Sequence, residues 1–106
     1  MDDVHKIDWI AQCVEENRYY YSKHADQERQ NENLMIFEIE EALVDGKILE
    51  KYKDTGRGRS CLVAGFTDKG KPIHLVCGQR GNQLVIVTVY IPKPPKFITV
   101  YERGER

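Results

Sequence analysis

The stretch Gln83–Tyr90, with the sequence QLVIVTVY, constrains the fold of this chain more than any other. Its β-branched residues are restricted at χ1 and pack well on a pleated surface, which predicts a strand. The run is apolar on both faces, so the strand should lie inside a sheet with at least one face covered. The turn residues Gly81 and Asn82 separate it from a second apolar run, Ile73–Cys77, and this pattern predicts a β-hairpin.

The segments before the hairpin predict helices and further strands. Apolar residues at helical spacing indicate helices over residues 4–16, capped by Asp3, and over residues 36–45. Arg18–Tyr21 is predicted as a short strand, followed by a polar helix over residues 23–31 that Ser22 caps. The main strands are expected at residues 47–53, 61–66, 73–78 and 84–91. The predicted fold is therefore α+β, with N-terminal helices packed on one face of a four-stranded, mainly antiparallel sheet.

The length of 106 residues fits a single domain with one modest core. We expect residues 1–92 to form this domain and residues 93–106 to form a basic, extended tail, since its prolines cannot donate to a sheet. No apolar run reaches the roughly 18 residues that span a bilayer, and the N-terminus has no signal-peptide pattern. These features predict a cytoplasmic protein without a membrane segment. The three cysteines lack CxxC spacing and are predicted to be buried thiols.

The strand register decides which residues share a face of the sheet. If Phe66 pairs with Ile73 across their loop, His74 lies opposite Gly65 on the shallower face, beside space for a ligand or a partner strand. Tyr90 would then lie on the other face, under the helices. A single β-bulge would change the positions of His74 and Tyr90 relative to one another.

The net charge of −1 conceals a strong asymmetry between the two halves of the chain. Residues 1–50 carry 13 acidic and 5 basic side chains, whereas residues 51–106 carry 4 acidic and 11 basic ones. The first half therefore has a net charge of −8 and the second half a net charge of +7. Such asymmetry predicts a face that binds a polyanion, a basic partner for the acidic face, or two surfaces that complement each other within the fold.

Known catalytic and nucleotide-binding motifs such as GxGxxG, the P-loop, HExxH and GxSxG do not occur, and the histidines are too scattered to predict a metal site or a cofactor. A basic group remains that suits RNA, because arginine and lysine hold phosphates and histidine exchanges protons near neutral pH. Metal-free RNA cleavage needs a base for the 2′-hydroxyl, an acid for the leaving oxygen, and cations for the phosphate. The candidate acid–base residues are His24, His74 and Tyr90, and the candidate phosphate-binding residues are Arg29, Lys51, Lys53, Arg57 and Arg59.

Two other interpretations remain open at this level. The chain is alternatively a non-enzymatic interaction module that binds a protein through the acidic helix 36–45 or through the open sheet face. The second interpretation is a small-molecule or nucleotide-binding domain with His74 at the floor of a pocket. Each candidate residue has a structural explanation as well: for example, Tyr90 could be a core residue, and His24 and Arg29 could simply dock the polar helix.

Several separated motifs resemble a family of small bacterial domains of unknown function over about residues 7–97. The motifs are YSKHA at Tyr21–Ala25 with Glu28-Arg29, IEEALVDG at Ile39–Gly46, CLVAG at Cys61–Gly65, PIH at Pro72–His74, and TVYIP at Thr88–Pro92. The positions that fit the family pattern are His24, Arg29, Gly65, His74 and Tyr90. The layout is also similar to the RelE and MqsR mRNA-interferase toxins. The resemblance implies a RelE-like fold, a toxin–antitoxin role as an endoribonuclease acting on RNA, and a zinc-finger antitoxin of the YgiT/MqsA type as partner.

Overall fold

A computed structural model describes residues 3–54, 56 and 58–93 with their side chains, and residues 97–99 and 102–103 by their backbone. Three helices and five strands form the main body, so the predicted α+β class is confirmed. In chain order these elements are α1 Ile7–Glu15, β1 Tyr19–Tyr21, α2 Lys23–Asn31, α3 Ile36–Val44, β2 Lys47–Tyr52, β3 Ser60–Phe66, β4 Pro72–Arg80 and β5 Gln83–Tyr90. Within the predicted tail, the short strands β6 Phe97–Thr99 and β7 Glu102–Arg103 pair with each other.

The main sheet is mixed and has the strand order β1-β5-β4-β3-β2. Strands β2 to β5 form an antiparallel meander, while β1 pairs parallel with the free edge of β5. The predicted sheet therefore has one strand too few, because the short strand β1 also joins it. The predicted hairpin is confirmed: Gln79 pairs with Leu84 and Arg80 with Gln83 around the two-residue turn.

The three helices cover one face of the sheet, and the core lies between the two layers. Helix α1 contributes Ile10 and Cys13, α2 contributes only Ala25, and α3 contributes Ile39 and Leu43. All three cysteines are free and buried, as predicted.

Helix α1 begins later than the sequence predicted. Its first residue is Ile7, because Asp3 does not cap the helix but closes a turn before it. The Asp3 carboxylate accepts a hydrogen bond from the His5 amide at 2.9 Å, and the Asp3 carbonyl accepts one from the Lys6 amide at 2.9 Å. This turn carries residues 3–5 along the sheet, where they contact the candidate site described below.

Helix α2 is held by polar contacts, because its only buried residue is Ala25. Ser22 caps it as predicted, accepting from the Ala25 amide at 3.0 Å and donating to the Val87 carbonyl at 3.0 Å. Halfway along the helix, Glu28 accepts a hydrogen bond from the Val89 amide at 3.1 Å. These bonds fix α2 beside β5 without a broad apolar face.

Helix α3 touches strand β3 backbone to backbone at Gly65. A Cβ atom placed on Gly65 would lie 2.0 Å from the carbonyl oxygen of Ala42, so no larger residue fits there. The inner stripe of the helix is Ile39, Ala42 and Leu43, whereas Ile36 at its first position is 48% exposed.

The register of β3 differs from the prediction by one residue. Phe66 pairs with Pro72 instead of Ile73, since the Thr67 amide bonds to the Lys71 carbonyl and closes a shorter loop. A one-residue shift exchanges the faces of a strand, so Gly65 faces α3 and His74 lies opposite Ala64. The prediction of open space beside His74 is wrong, because His74 is fully buried.

A β-bulge between Val76 and Cys77 brings Tyr90 opposite His74. On the β5 side the bulge inserts Val87, so Thr88 and Tyr90 move to the face of the sheet away from the helices. Tyr90 therefore lies on the same face as His74, whereas the unbulged register placed it under the helices.

The hydroxyl of Tyr21 is buried and, among the residues that the structure describes, makes no hydrogen bond of regular geometry, although the neighbouring Tyr19 hydroxyl interacts with it. Burial raises the pKa of Tyr21 to about 12. We expect Tyr21→Phe to stabilise the chain by about 1 kcal/mol in urea unfolding at neutral pH, because a buried hydroxyl without a regular hydrogen bond costs free energy. Since the folded pKa lies above the unfolded value, wild-type stability should fall as the pH rises from about 10 to 12, and the variant should lose less.

The matched control for this prediction is Tyr20→Phe, which removes the hydroxyl of a neighbouring side chain that is 39% exposed. Its free energy of unfolding should stay at the wild-type value. Equal behaviour of the two variants between pH 7 and pH 12 would contradict the prediction.

Candidate nucleic-acid interface

A pocket of about 650 Å³ lies on the sheet face that the helices leave uncovered. Val76, Gly78 and Val85 form its floor, and they alternate along their strands with the core residues. Val87 lies beside Gly78, since a Cβ atom on Gly78 would be 3.4 Å from a Val87 methyl carbon. The floor is thus shallow and apolar, a surface on which a flat ring can lie.

Four cationic side chains line the rim of this pocket, which we call the basic pocket: Lys51, Lys53, Arg59 and Arg80. No carboxylate belongs to its lining within the described ranges of the chain. The structure therefore brings together three of the predicted phosphate-binding residues. It adds Arg80, which the sequence analysis did not single out. Arg57 lies outside the described residues.

Asp54 orders the loop between Lys53 and Arg59. Its carboxylate accepts hydrogen bonds from the amides of Gly56 and Gly58 at 2.8 and 2.9 Å. Both glycines have positive φ angles, 103° and 90°, which side chains with a Cβ rarely adopt. The two amides hold the pKa of the Asp54 carboxyl below its usual range. The Asp54 carboxylate is thus bound by backbone amides of its own loop, at Gly56 and Gly58.

Arg59 is oriented by the N-terminal segment. It forms an ion pair with Asp3 and donates a hydrogen bond to His5 Nδ1 at 2.6 Å. His5 Nε2 in turn lies 2.8 Å from the Ser60 carbonyl oxygen and 3.2 Å from that of Tyr52. Because carbonyl oxygens only accept, this arrangement suits the imidazole with its proton on Nε2. The His5 amide and then Arg59 hold the pKa of the Asp3 carboxyl below its usual range.

Tyr52 also lines the basic pocket and is hydrogen-bonded to a carboxylate. Its hydroxyl donates to Glu50 at 2.6 Å, and the two residues lie on the same face of β2. A tyrosine paired with a carboxylate can pass a proton between a ligand and that carboxylate. Tyr52 is thus the pocket residue whose hydroxyl is bound to a carboxylate, and that carboxylate lies outside the lining.

His74 and Tyr90 form a second polar pair on this face of the sheet, outside the pocket lining. His74 Nδ1 lies 3.3 Å from the Tyr90 hydroxyl, and the two rings meet edge to face with centroids 5.4 Å apart. His74 is completely buried. The structure thus unites two of the predicted acid–base residues, but it places the histidine away from solvent.

His24 and Arg29 belong to α2 and do not line the basic pocket. The His24 side chain is 70% exposed and lies 3.3 Å from Glu28. Arg29 pairs with Asp26 at 2.9 Å, donates to the Leu34 carbonyl at 3.0 Å, and lies over the Tyr21 ring. These contacts hold α2 against the segment before α3, so Arg29 has a structural role.

Among the described residues, no three His, Cys, Asp or Glu side chains group closely enough to hold a metal ion. None of the helices in the described part of the chain is long and apolar enough to cross a membrane.

The model of one protein family, described as "Domain of unknown function (DUF4258)", matches residues 21–91. The matched segment covers more than half of the chain and runs from the end of β1 to the residue after β5. It therefore includes α2, α3 and every residue that lines the basic pocket. No curated protein and no solved structure matches the chain.

Proposed function

This chain belongs to the DUF4258 family, whose description assigns no activity, and from that premise we propose that it binds single-stranded RNA in the basic pocket and cleaves it as an endoribonuclease toxin. The observation that carries the proposal is the convergence of Lys51, Lys53, Arg59 and Arg80 around an apolar floor. A RelE-like fold and restraint by an antitoxin are part of the same proposal. The placement of helices on one sheet face and cations on the other supports it.

The chemistry of the pocket favours RNA over a small anion. Phosphates along a strand need cations spread over several ångströms, and the four cations come from three separate segments of the chain. Unstacked bases need apolar or aromatic surfaces, which the valine floor and the Tyr52 ring supply. A volume of about 650 Å³ suits one or two nucleotides at a time.

Cleavage requires removal of the 2′-hydroxyl proton, attack of that oxygen on the phosphorus, and protonation of the departing 5′-oxygen. The candidate base is the Tyr52 hydroxyl: it takes the 2′-hydroxyl proton as its own proton passes to the Glu50 carboxylate, and solvent water protonates the departing 5′-oxygen. Arg59 and the lysines stabilise the charge that develops on the phosphate. We therefore assign proton transfer first to Tyr52. The residues predicted from the sequence, His24, His74 and Tyr90, form the competing assignment.

We expect expression of the wild-type chain from a tightly controlled promoter to arrest bacterial growth and to produce cleaved cellular RNA. Tyr52→Phe should restore growth and lower the cleavage rate of labelled RNA at least about a hundredfold, because it removes the proton but keeps the ring. Purified wild type should retain its activity in the presence of a metal chelator. Circular dichroism checks that each variant is folded.

Two control variants separate the assignments. Tyr20→Phe removes a tyrosine hydroxyl on β1, outside the pocket lining, and should leave growth arrest unchanged. If the double variant His24→Ala/Tyr90→Phe abolishes cleavage while Tyr52→Phe does not, the assignment to Tyr52 is wrong and the sequence-based one stands. Harmless expression together with intact RNA at concentrations that saturate binding would contradict the nuclease altogether.

A further inference from the structure

The outward face of α3 carries apolar side chains that the fold does not cover. Phe37, Glu40, Glu41 and Val44 recur at helical spacing and form one outer stripe, opposite the buried stripe of Ile39, Ala42 and Leu43. Phe37 is 57% exposed and Val44 is 42% exposed. The stripe therefore has an apolar side chain at each end and two carboxylates between them.

This stripe forms one wall of a groove of about 430 Å³, which we call the α3 groove. Helix α1 contributes Val14 and Glu15 to its lining, and Asp45 and Asp68 complete it. Its lining thus contains three apolar residues and five carboxylates, and no cation lines it within the described part of the chain. Apolar floors bordered by charge of one sign are typical of surfaces that bind a partner of the opposite sign.

Two of the carboxylates are already oriented by the fold. Glu40 accepts a hydrogen bond from the Tyr19 hydroxyl at 2.6 Å, and Glu41 accepts one from the Asp68 amide at 3.0 Å. Lys71 lies on the other side of α3, where it pairs with Glu38 at 3.2 Å and does not enter the groove. The negative charge of the groove is therefore held in place and is not neutralised by that lysine.

We infer that the α3 groove docks a basic, amphipathic segment of another protein, independently of RNA binding in the basic pocket. Apolar side chains of the segment pack on Phe37, Val44 and Val14, and its lysines or arginines face the carboxylates. A polyanion is repelled by the same carboxylates. A symmetric second copy is disfavoured, because a two-fold contact would set this acidic surface against itself.

The test uses two fluorescent 14-residue peptides that contain the same leucines and lysines. In one peptide the leucines repeat at helical spacing, and in the other the order is scrambled. By fluorescence anisotropy, the full chain should bind the amphipathic peptide at least about tenfold more tightly than the scrambled one. Phe37→Ser should weaken that binding about tenfold or more, since it removes a large apolar contact.

Matched variants complete the test. Tyr20→Ser removes an exposed aromatic side chain from β1, away from the groove, and should leave the affinity unchanged. Glu15→Gln/Asp45→Asn should weaken binding, whereas Glu32→Gln, after α2, should not. Equal affinity for both peptides, or no effect of Phe37→Ser, would overturn the inference. So would a dimer in sedimentation velocity that Phe37→Ser dissolves, because a second copy would then occupy the groove.

Discussion

A chain in which both Lys51 and Lys53 are replaced by alanine is expected to bind single-stranded RNA about tenfold more weakly at about 0.15 M salt. Both side chains line the basic pocket, and neither forms an ion pair with another described residue. Each phosphate contact with a single strand contributes roughly 0.7 to the slope of log affinity against log salt. The double variant should therefore show a slope that is shallower by about 1.4.

The control is Lys6→Ala/Lys69→Ala, which removes the same charge from two exposed positions outside the basic pocket. Anisotropy titrations of a labelled oligonucleotide at four salt concentrations give both quantities. An equal loss in both double variants would mean that net charge alone attracts RNA. In that case the basic pocket would not be the binding site. This measurement concerns binding only, so it remains informative even if the chain does not cleave RNA.

The second large effect is expected at Gly65, where alanine should destabilise the fold by about 3 kcal/mol. The new Cβ atom would lie 2.0 Å from the Ala42 carbonyl oxygen and 2.8 Å from the carbonyl carbon. Both are backbone atoms, so relief requires α3 to move off the sheet and to open the core along its length. A loss of this size is a large part of the 5–15 kcal/mol that typically stabilises a domain.

Gly78→Ala provides the comparison for Gly65→Ala, because its Cβ atom would lie 3.4 Å from a Val87 methyl carbon and 4.0 Å from the Val85 carbonyl oxygen, both ordinary contact distances. We expect its free energy of unfolding, from urea titrations followed by circular dichroism, to stay within about 1 kcal/mol of the wild-type value. Similar losses for both glycine variants would show that α3 adapts and that the close contact does not control stability.

The sequence identified the fold class and the hairpin because local patterns determine them. It did not determine which face of β3 points toward the helices, since Cys61–Ala64 is apolar on both faces and shows no alternation of polar and apolar residues. The outcome depended on the Thr67–Lys71 loop, whose closing hydrogen bond is not visible as a sequence pattern. The β-bulge between Val76 and Cys77 likewise changed the sheet face on which Tyr90 lies.

The candidate site was predictable where residues are close in sequence. Lys51, Lys53 and Arg59 surround one glycine-containing loop, so their grouping in the basic pocket followed from position alone. The roles of Asp3 and His5 were missed because they contact Arg59 from more than fifty residues away. The signal that could have found Arg80 was its place at the end of a hairpin strand, beside the glycine turn.

The parallel pairing of β1 with β5 has a consequence for the synthesis of the chain. Tyr19–Tyr21 bonds to Leu84–Ile86, so the strand is made more than sixty residues before its partner. At ordinary translation rates of about 5–20 residues per second, β1 is synthesised roughly 3–13 seconds before that partner. During this interval the apolar side of α1 has no completed sheet to cover, and a nascent chain in that state is a natural target for chaperones.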